Sequence, residues 1–379
     1  MLIKSLPFYW RVTKNINDKS IIPASLPFDV DEIREYSLLT QKRNSLILNT
    51  LRDIYCFNEN VGYLQENNSI AKPYLTDFRN YLDEVISSNG LSSLLEIGTG
   101  GCSLISELHK SGFDVLGIDS SPLSADIGIK LGFPVITDFY PSIKLTSKHD
   151  LIYSVDVLEH IEDPVKFLQS FKKNLAPNGS IILNVPDCTD SISRGDISMF
   201  IHQHLNYFSL NSLPNIVSAA GFKVMDCRKS TYGGSIYLHA ILEDSQELLS
   251  LPELNQESIL DDFLDKVKVN LLNIDKLLKD FINRNESIGF YIPLRSFPYI
   301  RALGFSTNYR IFDDTPEWHG KYFDGYEIPV ENMDDFISNP TDNLLIMSLS
   351  FGEIIRNKLL AKNNNAKYNI FTLDDILEY

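Results

Sequence analysis

The chain has 379 residues, of which 44% are hydrophobic and 22% are charged. This length exceeds the size at which a single hydrophobic core usually stops growing, so we expect two or three domains, and the composition excludes a largely disordered chain. The net charge of −16 leaves no basic face for nucleic acid and makes an anionic membrane surface an unsuitable partner.

The cysteines are spread widely along the chain and form no CxxC pair, at Cys56, Cys102, Cys188 and Cys227. The sequence therefore signals neither a zinc knuckle nor a dense disulfide framework. The first residues lack the apolar core and the cleavage site of a signal peptide, and no apolar run reaches the length of about 18 residues that a membrane span needs. We expect a cytoplasmic protein.

Residues 1–70 are predicted to form a mostly helical segment. Apolar residues within 31–54 recur with a loose helical period, which predicts one helix there. A second helix is predicted over 73–88, because apolar side chains four residues apart give it one buried face. The positions that define this face are Tyr74, Phe78, Leu82 and Ile86.

From Leu91 onward, short apolar runs alternate with helical stretches. Continuous apolar runs are typical of buried parallel strands, and their alternation with helices indicates βαβ units. We therefore predict an α/β fold with a doubly wound sheet over residues 71–243. This domain is predicted to end with a pair of strands at 221–225 and 235–242.

Residues 244–285 are predicted to connect this domain to a second one. Apolar residues recur every three or four positions over 253–283, which predicts a long helix that covers a core rather than a coiled coil. Residues 286–379 are predicted to form a second, smaller α/β domain. Four further strands are expected there, within the segments SIGFYIP, YRIFDD, NLLIMSLS and YNIFTL.

The sharpest motif lies at the end of the first strand of the predicted sheet. The strand SLLEI carries Glu96 and leads into a glycine-rich turn that includes Gly98 and Gly100. Glycines let backbone approach a ligand closely, and the helix that follows offers free N–H groups. The next strand ends at Asp119, where a carboxylate accepts ribose hydroxyls. Both features fit a nucleoside cofactor, either NAD or S-adenosylmethionine (SAM).

Three details favour SAM over NAD. The first strand carries the acidic Glu96, and a carboxylate suits the amino-acid end of SAM better than a pyrophosphate. The turn reads G-T-G-G-C and lacks the third glycine of GxGxxG. A fourth strand and its loop follow at 150–164, with Asp156 and His160 in the loop.

Five stretches resemble, in order and spacing, the class I SAM-dependent methyltransferases: LLEIGTGG (94–101), GIDSS (117–121), VITDF (135–139), DLIYSVDVLEHIEDP (150–164) and LAPNGSIILNVPD (175–187). The resemblance implies a Rossmann-like fold with SAM as cofactor. It also implies a glycine turn against the cofactor, an acid on the ribose and an aspartate at the adenine. The residues expected at the cofactor are Glu96, Gly98, Gly100, Asp119, Asp138, Asp156 and His160. A simple capping role for Asp138 and a pocket-wall role for His160 are the alternatives.

A second cluster, FIHQHLNYFS, precedes a helix predicted to start near Ser209. His202 and His204 are two residues apart and would share one face of an extended chain. No third ligand with suitable spacing is evident, so we predict no metal site. A histidine can take a proton from a hydroxyl, an amine or an activated carbon near neutral pH. A histidine that only orders the loop is the alternative.

This cluster, together with Gly233-Gly234-Ser235 and the C-terminal domain, is similar to the nucleotide-sugar C-methyltransferase family. Members carry a Y-H-E-H-x-x-Y-F-S stretch, a GGS strand and a C-terminal α/β domain. The C-terminal resemblance is carried by 310–336 and 344–359. The tyrosine and glutamate of that stretch are Ile201 and Gln203 here, and the family's N-terminal zinc-binding cysteines are absent. An amide is not a base, so the methylated atom, C, O or N, stays open.

We therefore predict a SAM-dependent methyltransferase that acts on a small sugar-like or nucleotide-linked acceptor. His204 is the predicted base, and His202 and Gln203 are predicted to orient the acceptor. Arg295 and Arg301 are candidates for holding a phosphate. The alternatives are an O- or N-methyltransferase of a natural product or surface polysaccharide, a nicotinamide-dependent oxidoreductase, and a SAM-binding module without catalysis.

Overall fold

The structure is a computed structural model, and it describes residues 2–8, 11–18, 20–56, 71–242, 258–306, 308–362 and 368–378. Within these ranges, none of the helices combines the length and the apolar character needed to cross a bilayer. Three parts follow one another along the chain: an N-terminal part with short strands, a central part with a large sheet, and a C-terminal part with a smaller sheet.

The N-terminal part contains, in chain order, β1 (Ile3–Pro7), β2 (Val12–Thr13), β3 (Ser25–Phe28), β4 (Val30–Ile33), a 3₁₀ turn (Arg34–Tyr36), β5 (Leu38–Gln41) and α1 (Ser45–Cys56). The prediction of a mostly helical segment over 1–70 is therefore wrong for the described residues, and of the helix predicted over 31–54 only the part from Ser45 onward is present, in α1. Every residue of β5 is buried, and β5 pairs with β4. This burial on both faces favours a strand. Residues 57–70 lie outside the described residues.

The central part contains α2 (Ala71–Asn89), β6 (Ser93–Ile97), α3 (Ser103–Lys110), β7 (Asp114–Asp119), α4 (Pro122–Leu131), β8 (Val135–Thr137), β9 (His149–Val155), α5 (Pro164–Phe171), β10 (Leu175–Pro186), α6 (Thr189–Arg194), β11 (Asn206–Tyr207), α7 (Ser212–Ala219), β12 (Phe222–Lys229) and β13 (Ser235–Leu242). Seven of these strands form one sheet in the order β12-β13-β10-β9-β6-β7-β8. The predicted α/β, Rossmann-like fold is confirmed, as are the helix predicted over 73–88 and the final strand pair.

The apolar runs form strands because both faces of the central sheet are covered. In β6, β9 and β10, neighbouring residues alternate between two hydrophobic clusters. Leu95, Ile152 and Leu183 belong to the cluster on one face, and Leu94 and Leu151 belong to the cluster on the other. The strand order reverses between β6 and β9, and ligands of such sheets bind at this reversal, at the carboxyl ends of the strands.

The C-terminal part contains α8 (Ile259–Asn283), β14 (Ile288–Tyr291), α9 (Pro293–Leu303), β15 (Tyr309–Phe312), β16 (Tyr322–Phe323), β17 (Val330–Glu331), α10 (Met333–Ser338), β18 (Asn343–Ile346), α11 (Gly352–Lys362), β19 (Asn369–Thr372) and α12 (Leu373–Leu377). Its five-stranded sheet is parallel, in the order β17-β15-β14-β18-β19. The four strands predicted here are present. The predicted long helix begins at Ile259, and residues 253–257 lie outside the described residues.

The N-terminal strands join the central and C-terminal parts. Strand β5 pairs with β11 of the central part, and β2 pairs with β16 of the C-terminal part. One hydrophobic cluster contains side chains from all three parts, among them Phe28, Phe200 and Phe290. The segment before β11, which carries the predicted histidines, is consequently packed from several sides.

Candidate active site

The glycine-rich turn after β6 is fixed by its surroundings. Gly98 has a φ of +80°, and a Cβ built on it would lie 2.4 Å from a methyl carbon of Val157. The backbone N–H of Gly100 donates to Asp119 Oδ2 at 2.9 Å, and that of Ser121 donates to Oδ1 at 2.8 Å. The acid at the end of β7 is thereby tied to the turn.

Asp138 lies beside Asp119 in the next loop along the sheet edge. Its backbone N–H donates to the Asp119 carbonyl at 3.0 Å. Its Oδ1 accepts hydrogen bonds from the Phe139 N–H at 2.7 Å and from the Ser142 hydroxyl at 3.1 Å. Asp138 is therefore held next to Asp119, with one carboxylate oxygen engaged in its own turn.

Glu96 lies on β6, immediately before the glycine turn, and is buried. The hydroxyl of Tyr153, which faces it from the neighbouring strand β9, donates to Glu96 Oε2 at 3.2 Å. Burial, with the adjacent Glu96, raises the pKa of Tyr153 well above its ordinary value. Tyr153 therefore stays a neutral donor that holds this carboxylate at the base of the turn.

Asp156 is the centre of a polar network at the carboxyl end of β9. The Tyr74 hydroxyl lies 2.8 and 3.0 Å from its two carboxylate oxygens and accepts a hydrogen bond from the Ser235 hydroxyl at 3.0 Å. Burial raises the pKa of Asp156 to about 6, although the bond from Tyr74 opposes this. Helix α2 thus supplies the partner of this carboxylate, Tyr74, and strand β13 supplies the hydroxyl that donates to Tyr74.

Glu159 and His160 follow in the same loop. Glu159 is 1% exposed, and neither of its carboxylate oxygens has a hydrogen-bond partner in the described part of the chain. Burial, and then the nearby Asp156, raise the pKa of Glu159 well above its ordinary value. Its Oε1 lies 3.8 Å from His160 Nε2.

The tautomer of His160 follows from its partners. Its Nδ1 lies 2.7 Å from the carbonyl oxygen of Gln203. Because a carbonyl oxygen only accepts, Nδ1 carries the hydrogen, and the lone pair of the neutral ring is on Nε2. Burial lowers the pKa of His160, while the Gln203 and Asp156 carbonyls oppose that shift. The Tyr55 hydroxyl, from α1, lies 3.0 Å from Nδ1.

His204 lies beside His160, with ring centroids 5.1 Å apart. Burial, followed by His160 and Arg295, lowers the pKa of His204 well below its ordinary value, so its imidazole is neutral near pH 7. The backbone N–H of Leu205 donates to the Glu159 carbonyl at 2.7 Å. This bond fastens the segment before β11 to the loop after β9 and explains why the two histidines meet.

His202 is placed elsewhere, and the expectation that it shares a face with His204 is wrong. The chain turns here, because the His204 N–H donates to the Ile201 carbonyl at 3.1 Å. The His202 side chain is 0% exposed. Its Nε2 donates to the carbonyls of Leu6 and Leu26 at 3.0 and 3.2 Å. Its Nδ1 accepts from the Gln41 amide at 2.8 Å. Burial lowers its pKa to about 4.

Gln203 and the two arginines differ in how far they are engaged. The side-chain oxygen of Gln203 is buried without a hydrogen-bond partner in the described residues. Arg301 donates to the Tyr326 hydroxyl at 3.1 Å and to the Gly325 carbonyl at 2.8 Å, so it stabilises its own domain. Arg295 contributes, after burial and His160, to the lowered pKa of His204.

Three residues of this site were missed by the sequence analysis. Tyr74 was assigned only to the apolar face of a helix, and Tyr55 lies in α1, one residue beyond the end of the helix predicted over 31–54. Glu159 stands between Asp156 and His160 in the DVLEH motif, so the motif itself was the signal for it. The remaining contacts join distant segments and have no local signature.

Parts of this chain are similar to known methyltransferases. Residues 67–226 match a family model described as a methyltransferase domain. The C-methyltransferase NovU of Streptomyces niveus is 25% identical over 203 residues, which cover 51% of this chain and 48% of NovU. A ubiquinone biosynthesis O-methyltransferase of Caulobacter sp. (strain K31) is 31% identical over 98 residues, 24% of this chain and 39% of that protein. The chain thus spans less than half the length of these curated relatives.

Solved methyltransferases also share part of the fold. The 1,6-didemethyltoxoflavin-N1-methyltransferase of Burkholderia thailandensis has a TM-score of 0.41 and 13% identity, covering 57% of this chain and 100% of that one. The N-methyltransferase NodS of Bradyrhizobium japonicum WM9 has a TM-score of 0.39 and 15% identity, covering 52% and 98%. Both TM-scores describe a partial likeness only. The fold is assigned from the strand order of the central sheet.

The sheet, its glycine turn and the family match define the class of protein. The central part of this chain is a class I SAM-dependent methyltransferase domain. The cofactor of this class is S-adenosyl-L-methionine. The prediction of this class and of its cofactor is confirmed.

Proposed function

We propose that this chain is a SAM-dependent methyltransferase that acts on a small sugar-like or nucleotide-linked acceptor, with a histidine as general base. The observation that carries the proposal is the neutral histidine pair, His160 and His204, at the sheet edge that holds the glycine turn. When bound, SAM supplies an electrophilic methyl group. The residues of this chain must then position the acceptor and remove its proton.

The residues at the carboxyl ends of the strands suit this cofactor. Asp119 ends β7 with a carboxylate, the group that accepts ribose hydroxyls at this position of such sheets, and its two oxygens accept the backbone N–H groups of Gly100 and Ser121. Gly98 and Gly100 give the turn a backbone without side chains. We assign the carboxylates of Glu96 and Asp156 to the cationic amino-acid end of SAM and Asp138 to the adenine amine, the last being the role that the resemblance implies.

Proton removal is assigned to His204. Its imidazole is neutral because it is buried beside His160, and a neutral imidazole is the form that accepts a proton. A positioned base contributes about 10²–10⁴-fold to the rate. Gln203, whose side-chain oxygen has no hydrogen-bond partner in the described residues, is assigned to orienting an acceptor hydroxyl. His202 becomes a positioning residue, because both of its ring nitrogens hold the turn that aims His204.

The acceptor class rests on similarity. NovU is described as a C-methyltransferase, and the histidine segment and the C-terminal domain resemble the nucleotide-sugar C-methyltransferases. O-methylation is the second candidate, because the Caulobacter relative is described as an O-methyltransferase and the acidic residue of the C-methyltransferase motif is Gln203 here. The spread cysteines, all of them free, support our expectation of a cytoplasmic enzyme.

The test compares His204→Ala with the wild type and with His109→Ala, which lies on α3 away from the site. S-adenosylhomocysteine formation is measured with SAM and a panel comprising a nucleotide-linked keto sugar, a free sugar and a catechol. The wild type and His109→Ala should turn over one acceptor class, whereas His204→Ala should lose about 10²–10⁴-fold. Calorimetry should show unchanged S-adenosylhomocysteine affinity. Nearly intact turnover by His204→Ala would contradict the assignment of the base.

A further inference from the structure

Three side chains of the site, Glu159, His160 and His204, converge on one point. Each offers one ligand atom, and these atoms all lie within 4.8 Å of one another. The sequence analysis found no third ligand beside His202 and His204. In the structure, His202 is buried away from this cluster. The loop after β9 contributes Glu159 and His160 instead. The backbone bond from Leu205 to the Glu159 carbonyl joins the two segments.

The orientation of His160 is the one that a metal-binding histidine requires. Histidine ligands usually donate their other ring N–H to a carbonyl or a carboxylate, which fixes the ring and its tautomer. His160 donates Nδ1–H to the Gln203 carbonyl at 2.7 Å. Its Nε2 lone pair therefore points toward Glu159 Oε1, 3.8 Å away.

Glu159 supplies an independent observation. It is almost completely buried, and its two oxygens have no hydrogen-bond partner in the described ranges. Buried carboxyl groups normally have partners, and an unsatisfied one costs free energy. A cation between Glu159 and the two histidines would give a partner to the Glu159 carboxylate and would bind one ring-nitrogen lone pair of each histidine.

We propose that Glu159, His160 and His204 form a binding site for a divalent transition-metal ion of the zinc type. Two histidines and one glutamate are a known donor set for zinc, with a fourth position left open. Zinc–ligand distances of about 2.0–2.2 Å place neighbouring ligand atoms roughly 3.3–3.6 Å apart. His160 Nε2 and Glu159 Oε1, 3.8 Å apart, are already close to this separation, and because all three atoms lie within 4.8 Å of one another, no pair has to close by more than about 1.5 Å.

The site goes beyond the function proposed above and does not depend on it. The ion and the proton compete for the same lone pair of His204. His204 therefore acts as a base only in the protein without the ion. Three protein ligands leave the fourth position of a tetrahedral ion open. An oxygen of the acceptor or a water molecule is the ligand that fits there.

The test is a titration of the full, untagged chain with Co²⁺ after treatment with a chelator. The wild type should bind one Co²⁺ with the intense visible absorption of low coordination number, and Zn²⁺ should displace it. Loss of an outer-shell partner alone costs about 10–100-fold in metal affinity, so His160→Ala and His204→Ala should each lose at least that much. Glu159→Gln should also bind weakly, with its melting temperature unchanged or raised.

Two control variants match these changes. Glu162→Gln removes an exposed carboxylate from the same loop, and His109→Ala removes a histidine from α3; both should bind Co²⁺ as the wild type does. The proposal is overturned if the wild type shows no saturable absorption, or if all three site variants keep wild-type affinity. S-adenosylhomocysteine binding, measured on the same samples, reports separately on the proposed function.

Discussion

The same strand–turn–helix–strand arrangement, called a corner below, occurs once in the central sheet and once in the C-terminal sheet. In the central sheet, β6 leads through a turn into α3, and the next strand, β7, ends at Asp119. In the C-terminal sheet, β14 leads through a turn into α9, and the next strand, β15, is followed by Asp313. Both sheets are parallel at this corner. The comparison shows how much of a cofactor site comes from topology and how much from side chains.

The two turns differ in composition. The first contains Gly98 and Gly100, both with positive φ. The second contains Ile292, which also has a positive φ, of +65°, followed directly by Pro293. The branched side chain of Ile292 keeps a ligand away from the backbone of the second turn, and Pro293 has no N–H to donate. Only the first turn can approach a ligand with its backbone.

The two acids also differ. Asp119 accepts the Gly100 N–H across the turn, so the acid at the end of β7 and the glycine turn form one unit. Asp313 accepts the N–H of Thr315, two residues further along its own loop, at 2.8 Å. Burial raises the pKa of Asp313 to about 6, and the bonds from Thr315 oppose this. The strand–turn–helix–strand arrangement thus occurs in both sheets, whereas the glycine turn and the acid tied to it, which we expect at SAM, lie in the central sheet.

The largest effect on stability is expected from Gly98→Ala. The added Cβ would lie 2.4 Å from a methyl carbon of Val157, at a φ of +80°. Overpacking and the left-handed conformation together predict a loss of about 2–4 kcal/mol in the free energy of unfolding, measured by urea denaturation. Gly112→Ala is the control, because φ is also positive there but nothing lies within 4 Å of the added Cβ. Equal losses for both variants would show that contact with Val157 does not constrain the turn.

A smaller effect, of opposite sign, is expected from Asp313→Asn. The folded protein raises the pKa of Asp313 from 3.8 to about 6, so the folded state binds this proton more tightly than the unfolded state. The free energy of unfolding therefore falls as pH rises from about 4 to 6. Asp313→Asn should remove this dependence and add about 1–3 kcal/mol at pH 7. Denaturation at pH 4.5 and pH 7 measures both; an unchanged pH dependence would contradict the buried position of this acid.

The smallest effect is expected from Ile292→Gly in the second turn. Relief of the left-handed conformation gains roughly 1–2 kcal/mol, and the loss of a partly buried side chain costs a similar amount. The net change in the free energy of unfolding should lie within about 1 kcal/mol. A loss as large as that of Gly98→Ala would mean that the second turn is held as tightly as the first.

The sequence analysis predicted the elements that depend on local pattern. The buried strands β6, β9 and β10, the helix α2 and the four C-terminal strands follow from apolar periodicity. The helix prediction over 31–54 is wrong for residues 38–41, because Leu38 and Leu39 fit a helical pattern of apolar residues. In the structure these residues form β5, which pairs with β11, far away in the sequence. Pairing between such distant segments leaves no local signal.

The candidate site divides in the same way. Asp119 and the glycine turn could be predicted because a family motif carries them. The meeting of His160 with His204 could not, because it depends on a backbone bond between two loops. His202 and His204 look equivalent in the sequence, and a single turn at Ile201 sends the first into the core and the second into the site. Alternation rules hold only where the chain is extended.

The central claim is that SAM binds at the first corner and not at the second. Calorimetric titration with S-adenosylhomocysteine tests it on the wild type, Asp119→Ala and Asp313→Ala. The account predicts one site in the wild type, an affinity for Asp119→Ala at least about 10- to 100-fold weaker because charge-assisted hydrogen bonds to the ribose are lost, and wild-type affinity for Asp313→Ala. Undiminished binding by Asp119→Ala, together with lost binding by Asp313→Ala, would contradict it.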